Sequence, residues 1–304
     1  MATSSGISSK SGAAEIEVVG AGIIRISGQH STPAPRLGLV SNIHGDEIVG
    51  REVARRFTRD IRPVKGVVYL IDANPEACLV RKRFIDRDMN RLFKDELVVG
   101  KHADHETARA SYLMKTIKSL KLDYVLDYHS TSSEIGSPFI LCWPGSETLG
   151  RLVSIRRTYG WSGIVEGTLV EYLSSSGIPA IALEAGQHAR GESESIAVSV
   201  TREILQRLEM LPGPVDPAFK DLGHADYVVL KREPVREKRG YRYTGGTAPP
   251  SFQPLAPGEL IAKDDAGNDY IAPVEQGLSI LMPAEEESVR QGINADAYFL
   301  IQKQ

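Results

Sequence analysis

Apolar positions along the chain follow two rhythms. From about residue 15 to 210, short runs rich in Val, Ile and Leu alternate with longer stretches whose apolar residues recur at helical spacing. Strands are expected over Glu15–Ile26, Arg36–Asn42, Gly66–Asp72, Tyr124–His129, Pro138–Cys142, Gly163–Glu166 and Ala180–Glu184. Several of these runs are almost wholly apolar, as in strands covered on both faces. Helices are expected over Glu47–Asp60, His105–Leu120, Ser146–Tyr159, Leu169–Ser175 and Ser193–Leu211. In the last of these, Ile196, Val198, Val200, Ile204, Leu205 and Leu208 are roughly consistent with one buried stripe. This alternation predicts an α/β fold, a mixed, largely parallel sheet flanked by helices.

The rhythm changes near residue 212. The segment Leu211-Pro-Gly-Pro-Val-Asp-Pro217 cannot continue a helix. Beyond it, short alternating runs at Tyr227–Lys231, Gly258–Lys263, Asp269–Ala272 and Leu278–Met282 are separated by Gly, Pro and Asp turns. The expected organisation is a Ser/Gly-rich disordered tail over 1–14, an α/β domain over 15–211 and a small β-rich domain over 212–304.

Composition narrows the function. With 304 residues, 41% hydrophobic and 25% charged, the chain is an ordinary globular protein, long enough to bury a core without metal or disulfide help. A net charge of -3 gives no strong pull toward nucleic acid or an anionic membrane. The longest apolar runs, such as Gly66 to Ile71, are far too short to span a bilayer. The tail lacks the apolar stretch of a signal peptide. Two cysteines, Cys78 and Cys142, exclude a disulfide-built scaffold and favour a reduced, cytoplasmic setting. Association with further copies of the chain stays open.

Candidate chemistry begins at Ile43-His-Gly-Asp-Glu47, where a strand gives way to a helix. His44 and Glu47, three apart, can converge on one ion. Alone the pair is weak, because any helix start favours an acid. A catalytic zinc site needs a third protein ligand and one position for water, and His₂Glu is a recurring set. The best third ligand is His129, at the end of an apolar strand, where open α/β sheets place their crevice. Asp127, two residues earlier on the same face, could orient an imidazole. The remaining histidines (His30, His102, His105, His188 and His224) read as surface or turn residues, with His188 near a site loop.

Glu184 ends the apolar run Pro179-Ala-Ile-Ala-Leu-Glu184. A carboxylate in a partly dry pocket can take a proton from water and return it to a leaving amine. The segment Arg81–Phe93 is strongly basic, and by periodicity alone it is a solvated charged stretch. Arg83, Arg91 and Asn90 are its candidates for holding an oxyanion and a substrate carboxylate.

Four blocks together resemble the aspartoacylase and succinylglutamate desuccinylase family, relatives of zinc carboxypeptidases. They are Ile43–Glu47, Asn74-Pro75 with Arg83–Phe93, Asp127–Ser133, and Leu183–Gly186. The resemblance covers roughly residues 36 to 190 and implies a carboxypeptidase-like domain followed by a β-rich domain that narrows the entrance. It implies one Zn²⁺ per chain on His44, Glu47 and His129. Glu184 becomes the general base and acid, and Arg83 the residue that polarises the scissile carbonyl. Asn90 and Arg91 become the α-carboxylate clamp, Ser130 stands where aspartoacylase has a substrate-contacting Asn, and Tyr298 is the candidate counterpart of its substrate-contacting Tyr. The implied substrate is a small N-acyl amino acid, cleaved at its amide bond. One departure stands out: where aspartoacylase has an Arg ten residues before the catalytic Glu, this chain has Ser174. Other readings are a carboxypeptidase-like peptidase and a non-catalytic binding relic, and the donor set accepts other divalent ions.

Overall fold

The structure is a computed structural model that describes residues 15–28, 34–95, 97, 100, 103–132, 136–188, 190–219, 225–293 and 295–304. The tail expected over 1–14, and His30, His102 and His224, lie outside the described residues.

The strands are β1 (Glu15–Gly20), β2 (Ile23–Ser27), β3 (Arg36–Ser41), β4 (Val67–Asp72), β5 (Tyr124–Thr131), β6 (Phe139–Cys142) and β7 (Arg156–Tyr159). They continue with β8 (Ala180–Gln187), β9 (Asp226–Pro234), β10 (Arg242–Tyr243), β11 (Leu260–Lys263), β12 (Asp269–Ile271), β13 (Leu278–Leu281) and β14 (Asp296–Lys303). The helices are α1 (Val49–Arg59), α2 (Pro75–Leu79), α3 (His105–Leu120), α4 (Glu147–Gly150), α5 (Leu169–Ser175), α6 (Gly191–Arg207) and α7 (Glu286–Arg290).

Eleven strands form one sheet in the order β1-β2-β4-β3-β5-β8-β6-β7-β9-β14-β13. The fold is mixed α/β. The expectation of a largely parallel sheet needs correction: among the described residues, five of its ten neighbouring pairs are parallel and five antiparallel. The parallel block β4-β3-β5-β8 is central, where helices cover both faces, and antiparallel pairs, β2–β4 and β6–β8, join it to the strands on either side.

Strand alternation divides the core into two layers. Val125, Ala180, Ala182 and Leu141 face α3 and α5, while Leu126, Tyr128, Ile181 and Leu183 face α1 and α6. Strands β9, β14 and β13 join the main sheet through the parallel pair β7–β9, so the ladder does not break near residue 212. Strands β10, β11 and β12 form a separate sheet over a tyrosine-rich cluster containing Tyr241, Tyr243, Tyr270 and Tyr298.

Local differences from the expected elements have physical causes. The run Glu15–Ile26 is a hairpin, because Gly22 takes φ +71° and turns β1 back onto β2. The helix expected over Ser146–Tyr159 stops after the single turn of α4. Val153 and Ile155 are drawn into the core, and Arg156–Tyr159 then pairs on both sides, with β6 and β9. The strand expected at Gly163–Glu166 is a turn in which Ile164 and Val165 donate to Trp161 O.

Candidate metal centre

The site is assembled at the carboxyl ends of the central strands. After β3, Asn42 takes φ +60° and turns the chain toward His44. Gly45 then passes so close to α2 that a Cβ there would lie 2.2 Å from the Ala77 carbonyl carbon, which only glycine avoids. Its N–H donates to Arg83 O at 3.2 Å, joining the His44 turn to the Arg83 segment. In the centre of the sheet, His129 of β5 is the register partner of Glu184 of β8. Alternation puts Asp127, His129 and Glu184 on one face.

His44, Glu47 and His129 are all buried, and one donor atom of each lies within 4.8 Å of the other two. His44 Nδ1 is 2.6 Å from Glu47 Oε1, and His129 Nδ1 is 2.9 Å from Glu47 Oε2. The far ring nitrogens are held by carboxylates. His44 Nε2 meets Asp88 Oδ1 at 3.1 Å, and His129 Nε2 meets Asp127 Oδ2 at 2.9 Å. Both imidazoles are therefore oriented from behind with Nδ1 toward a shared point, an arrangement that suits metal ligation. These three residues could hold a metal ion, and the His₂Glu set fits a divalent ion such as zinc.

Charge in the site is tightly balanced. Burial works against ionisation of Glu47, but the two imidazoles outweigh it and hold the carboxyl well below its ordinary value. Burial likewise opposes ionisation of Asp88, and Arg83 with His44 overcomes it. Arg83 donates to Asp88 Oδ2 at 2.9 Å and to Glu47 Oε1 at 3.4 Å. Glu184 is different. Burial pushes its carboxyl up to about 7 against the pull of His129, with Glu47 adding to the push. Its Oε2 is buried and has no hydrogen-bond partner among the described residues. A buried carboxylate oxygen left unpaired is costly unless something else uses it.

A cavity of about 580 Å³ opens over these groups. His44, Glu47, Arg83, Asn90, Arg91, His129, Ser130 and Glu184 all line it, so eight of the residues singled out from the sequence share one space. Asn90 Oδ1 accepts from Leu169 N at 3.0 Å, and Arg91 donates to Asn90 O at 2.8 Å. Gly167 takes φ +73° there, with its backbone packed against that of Arg91. Ser130 N donates to Glu47 Oε2 at 3.0 Å, while its Oγ is 2.8 Å from His188 Nδ1. Tyr298 does not reach the cavity. It is buried in the tyrosine cluster, so the counterpart suggested by the resemblance does not hold.

Sequence reasoning passed over three residues. Asp88 orients His44, and its signal was its place between Arg83 and Asn90. His188 lines the cavity beside Ser130, four positions past Glu184. Glu106, fully buried at the start of α3, accepts from Ile85 N, Asp86 N, Arg87 N and Asn74 Nδ2 at 2.7 to 3.3 Å. It pins the backbone between Arg83 and Asp88.

The catalytic-domain model of the succinylglutamate desuccinylase/aspartoacylase family matches residues 33–210. The chain belongs to that family. Among its relatives in the family is the succinylglutamate desuccinylase of Pseudomonas paraeruginosa (strain DSM 24068 / PA7), 28% identical over 284 residues, with 84% of this chain and 81% of the relative covered. The N-acyl-aromatic-L-amino acid amidohydrolase (carboxylate-forming) of Xenopus laevis is 30% identical over 119 residues, covering 36% of this chain and 39% of that protein's length. Solved structures of similar fold include murine aminoacylase 3, with TM-score 0.69, 20% identity and 90% of this chain and 96% of that chain covered. The succinylglutamate desuccinylase of Vibrio cholerae gives TM-score 0.70 at 18% identity, covering 93% and 85%.

Proposed function

We propose that this member of the family is a zinc-dependent deacylase that hydrolyses the amide bond of a small N-acyl amino acid, releasing a carboxylic acid and the free amino acid. The observation that carries the reading is the buried carboxyl of Glu184, whose Oε2 has no hydrogen-bond partner among the described residues, standing beside three converging metal-type ligands in one cavity. The names of the relatives, a desuccinylase and an amidohydrolase, agree with that chemistry.

His44, Glu47 and His129 would hold the zinc ion, whose Lewis acidity would polarise the scissile carbonyl and lower the pKa of a water. Glu184 takes the proton of the attacking water and returns it to the departing amine. A carboxyl near 7 suits both duties, because base and acid forms are each accessible at neutral pH. Arg83, already charged and fixed by Asp88, donates to the carbonyl oxygen as it becomes an oxyanion. Arg91 and the amide nitrogen of Asn90 dock the α-carboxylate, so that binding energy orients the scissile bond. Ser130, held by His188, contacts the substrate from the β5 side.

Among the described residues no helix is long and apolar enough to cross a membrane. A cytoplasmic setting is part of the proposal, supported by two buried, unpaired thiols at Cys78 and Cys142.

A panel of N-acetyl and N-succinyl amino acids and dipeptides, assayed with and without a chelator, tests the function. Chelator-sensitive release of free amino acid, restored by zinc, is the expected result. Cleavage of dipeptides alone would replace the deacylase with a peptidase. Absence of any metal uptake on titration would leave only a binding protein.

A further inference from the structure

One end of the cavity is built by a break in strand register. His129 of β5 lies opposite Glu184 of β8, yet Thr131 lies opposite Gln187, so β8 takes three steps where β5 takes two. Gly186 sits in this bulge at φ +139°. The extra residue reverses the alternation of β8, so His188 falls on the face of Ser130 and not on that of Glu184. Two contacts fix the end of β8: His188 N donates to Thr131 O at 2.8 Å, and Gln187 Nε2 to Ser132 O at 3.0 Å.

The two oxygens of Glu47 give the direction in which this end lies. Oε1 faces His44 Nδ1 and Arg83 Nη1, while Oε2 faces His129 Nδ1 and Ser130 N. Ser130 and His188 therefore stand across the ligand set from Arg83. A substrate docked by its α-carboxylate at Asn90 and Arg91, with its scissile bond at the ligands, directs its acyl group to this far side. Ser130 is buried, and among the described residues its hydroxyl proton has one acceptor in reach, His188 Nδ1 at 2.8 Å. With Nδ1 accepting, the ring N–H falls on Nε2. That nitrogen has no partner among the described residues, and His188 is half-buried in the cavity lining.

We propose that His188 is a substrate-contacting residue, its Nε2–H donating to an acceptor oxygen at the outer end of the acyl group while Ser130 fixes the orientation of its ring. Because Ser130 N is bonded to Glu47, the contact is held in register with the metal-type ligands. The chemistry it recognises is a terminal hydrogen-bond acceptor, as a carboxylate or a neutral amide. An acyl chain ending in a methyl group leaves the N–H unpaired and loses the contact.

The proposal rests on the deacylase reading, and the test separates the two. The amino acid released fastest in the panel above is held constant, and zinc-replete enzyme is assayed on its N-butanoyl, N-succinyl and N-succinamoyl derivatives. The first lacks the terminal acceptor, the second carries it as a carboxylate and the third as an amide. Wild type is expected to prefer the better of the last two over the first by about tenfold or more in kcat/KM. His188→Ala is expected to raise KM for that preferred substrate about 10- to 100-fold with little change in kcat. For the butanoyl derivative its kcat/KM should change by less than about threefold. His188→Gln, which keeps an N–H at similar reach, is expected to recover most of the loss. A wild type that cleaves the butanoyl derivative as well or better, or a His188→Ala loss of equal size on all three, overturns the proposal and leaves the deacylase standing. Failure of wild type to cleave any of these derivatives or the N-acetyl one overturns both.

Discussion

Replacing Glu184 by Gln keeps the side chain's shape and removes its charge, and its two consequences have opposite signs. In catalysis the loss of the proton-transfer group should lower kcat by about 10²- to 10⁴-fold. Metal content should be unchanged, because Glu184 is not one of the three converging ligands. In stability the variant should gain. Burial raises the carboxyl from 4.5 to about 7, and at about 1.4 kcal/mol per pH unit this gap corresponds to about 3 kcal/mol. The folded chain binds that proton more tightly than the unfolded chain does. The penalty is therefore absent below pH 4.5, grows as the pH rises through the interval up to about 7, and is complete above it. Urea denaturation of chelator-treated wild type and variant at pH 5 and pH 8 measures it. The variant's advantage should be about 2 to 3 kcal/mol larger at pH 8, a comparison in which any pH-independent cost of the amide cancels. Near-normal turnover in the variant would take Glu184 out of the mechanism. An advantage equal at both pH values would mean that the carboxyl is not held in a charge-hostile environment.

Three further outcomes follow from the geometry. Asp127→Asn, which weakens the hold on His129 Nε2, should reduce zinc affinity about 10- to 100-fold in a competition titration with a chromophoric chelator. Arg91→Ala should raise KM for carboxylate-bearing substrates with a smaller effect on kcat, and an unchanged KM would count against its docking role. Glu106→Ala removes the acceptor of three backbone N–H groups and should destabilise the fold by about 3 to 5 kcal/mol in chemical denaturation. Its kcat should fall as well, because the segment it pins carries Arg83 and Asp88.

The central block of the fold was legible because its strands are continuous apolar runs. The site was legible because His44, His129 and Glu184 are polar residues at the ends of such runs, where burial needs a reason. What escaped the sequence depends on tertiary contacts. Arg156–Tyr159 has no strong strand signal and pairs only because β6 and β9 are there to receive it. The partition between residues 15–211 and 212–304 was drawn at a proline-rich linker, yet sheet hydrogen bonding continues across it through β9. Asp88 and Glu106 could not be assigned roles because a carboxylate among basic residues and one in the first turn of a helix both read as surface charge. Only the fold shows that one faces an imidazole and the other three backbone amides. Tyr298 was a candidate through the resemblance alone, with only a loose local match, and its ring lies in the tyrosine cluster under the second sheet.

The pairing of His129 with Glu184 fixes the separation of their backbones by interstrand spacing, about 4.8 Å in any β-ladder. On the proposed mechanism, loops and cavity walls can therefore change, and the range of accepted acyl groups with them, without moving the backbone of Glu184 relative to that of His129. The weak point of such a design is a one-residue slip between β5 and β8. It would turn Glu184 away from the His129 face, toward α1 and α6, and on the proposed mechanism abolish turnover while leaving the overall shape almost intact.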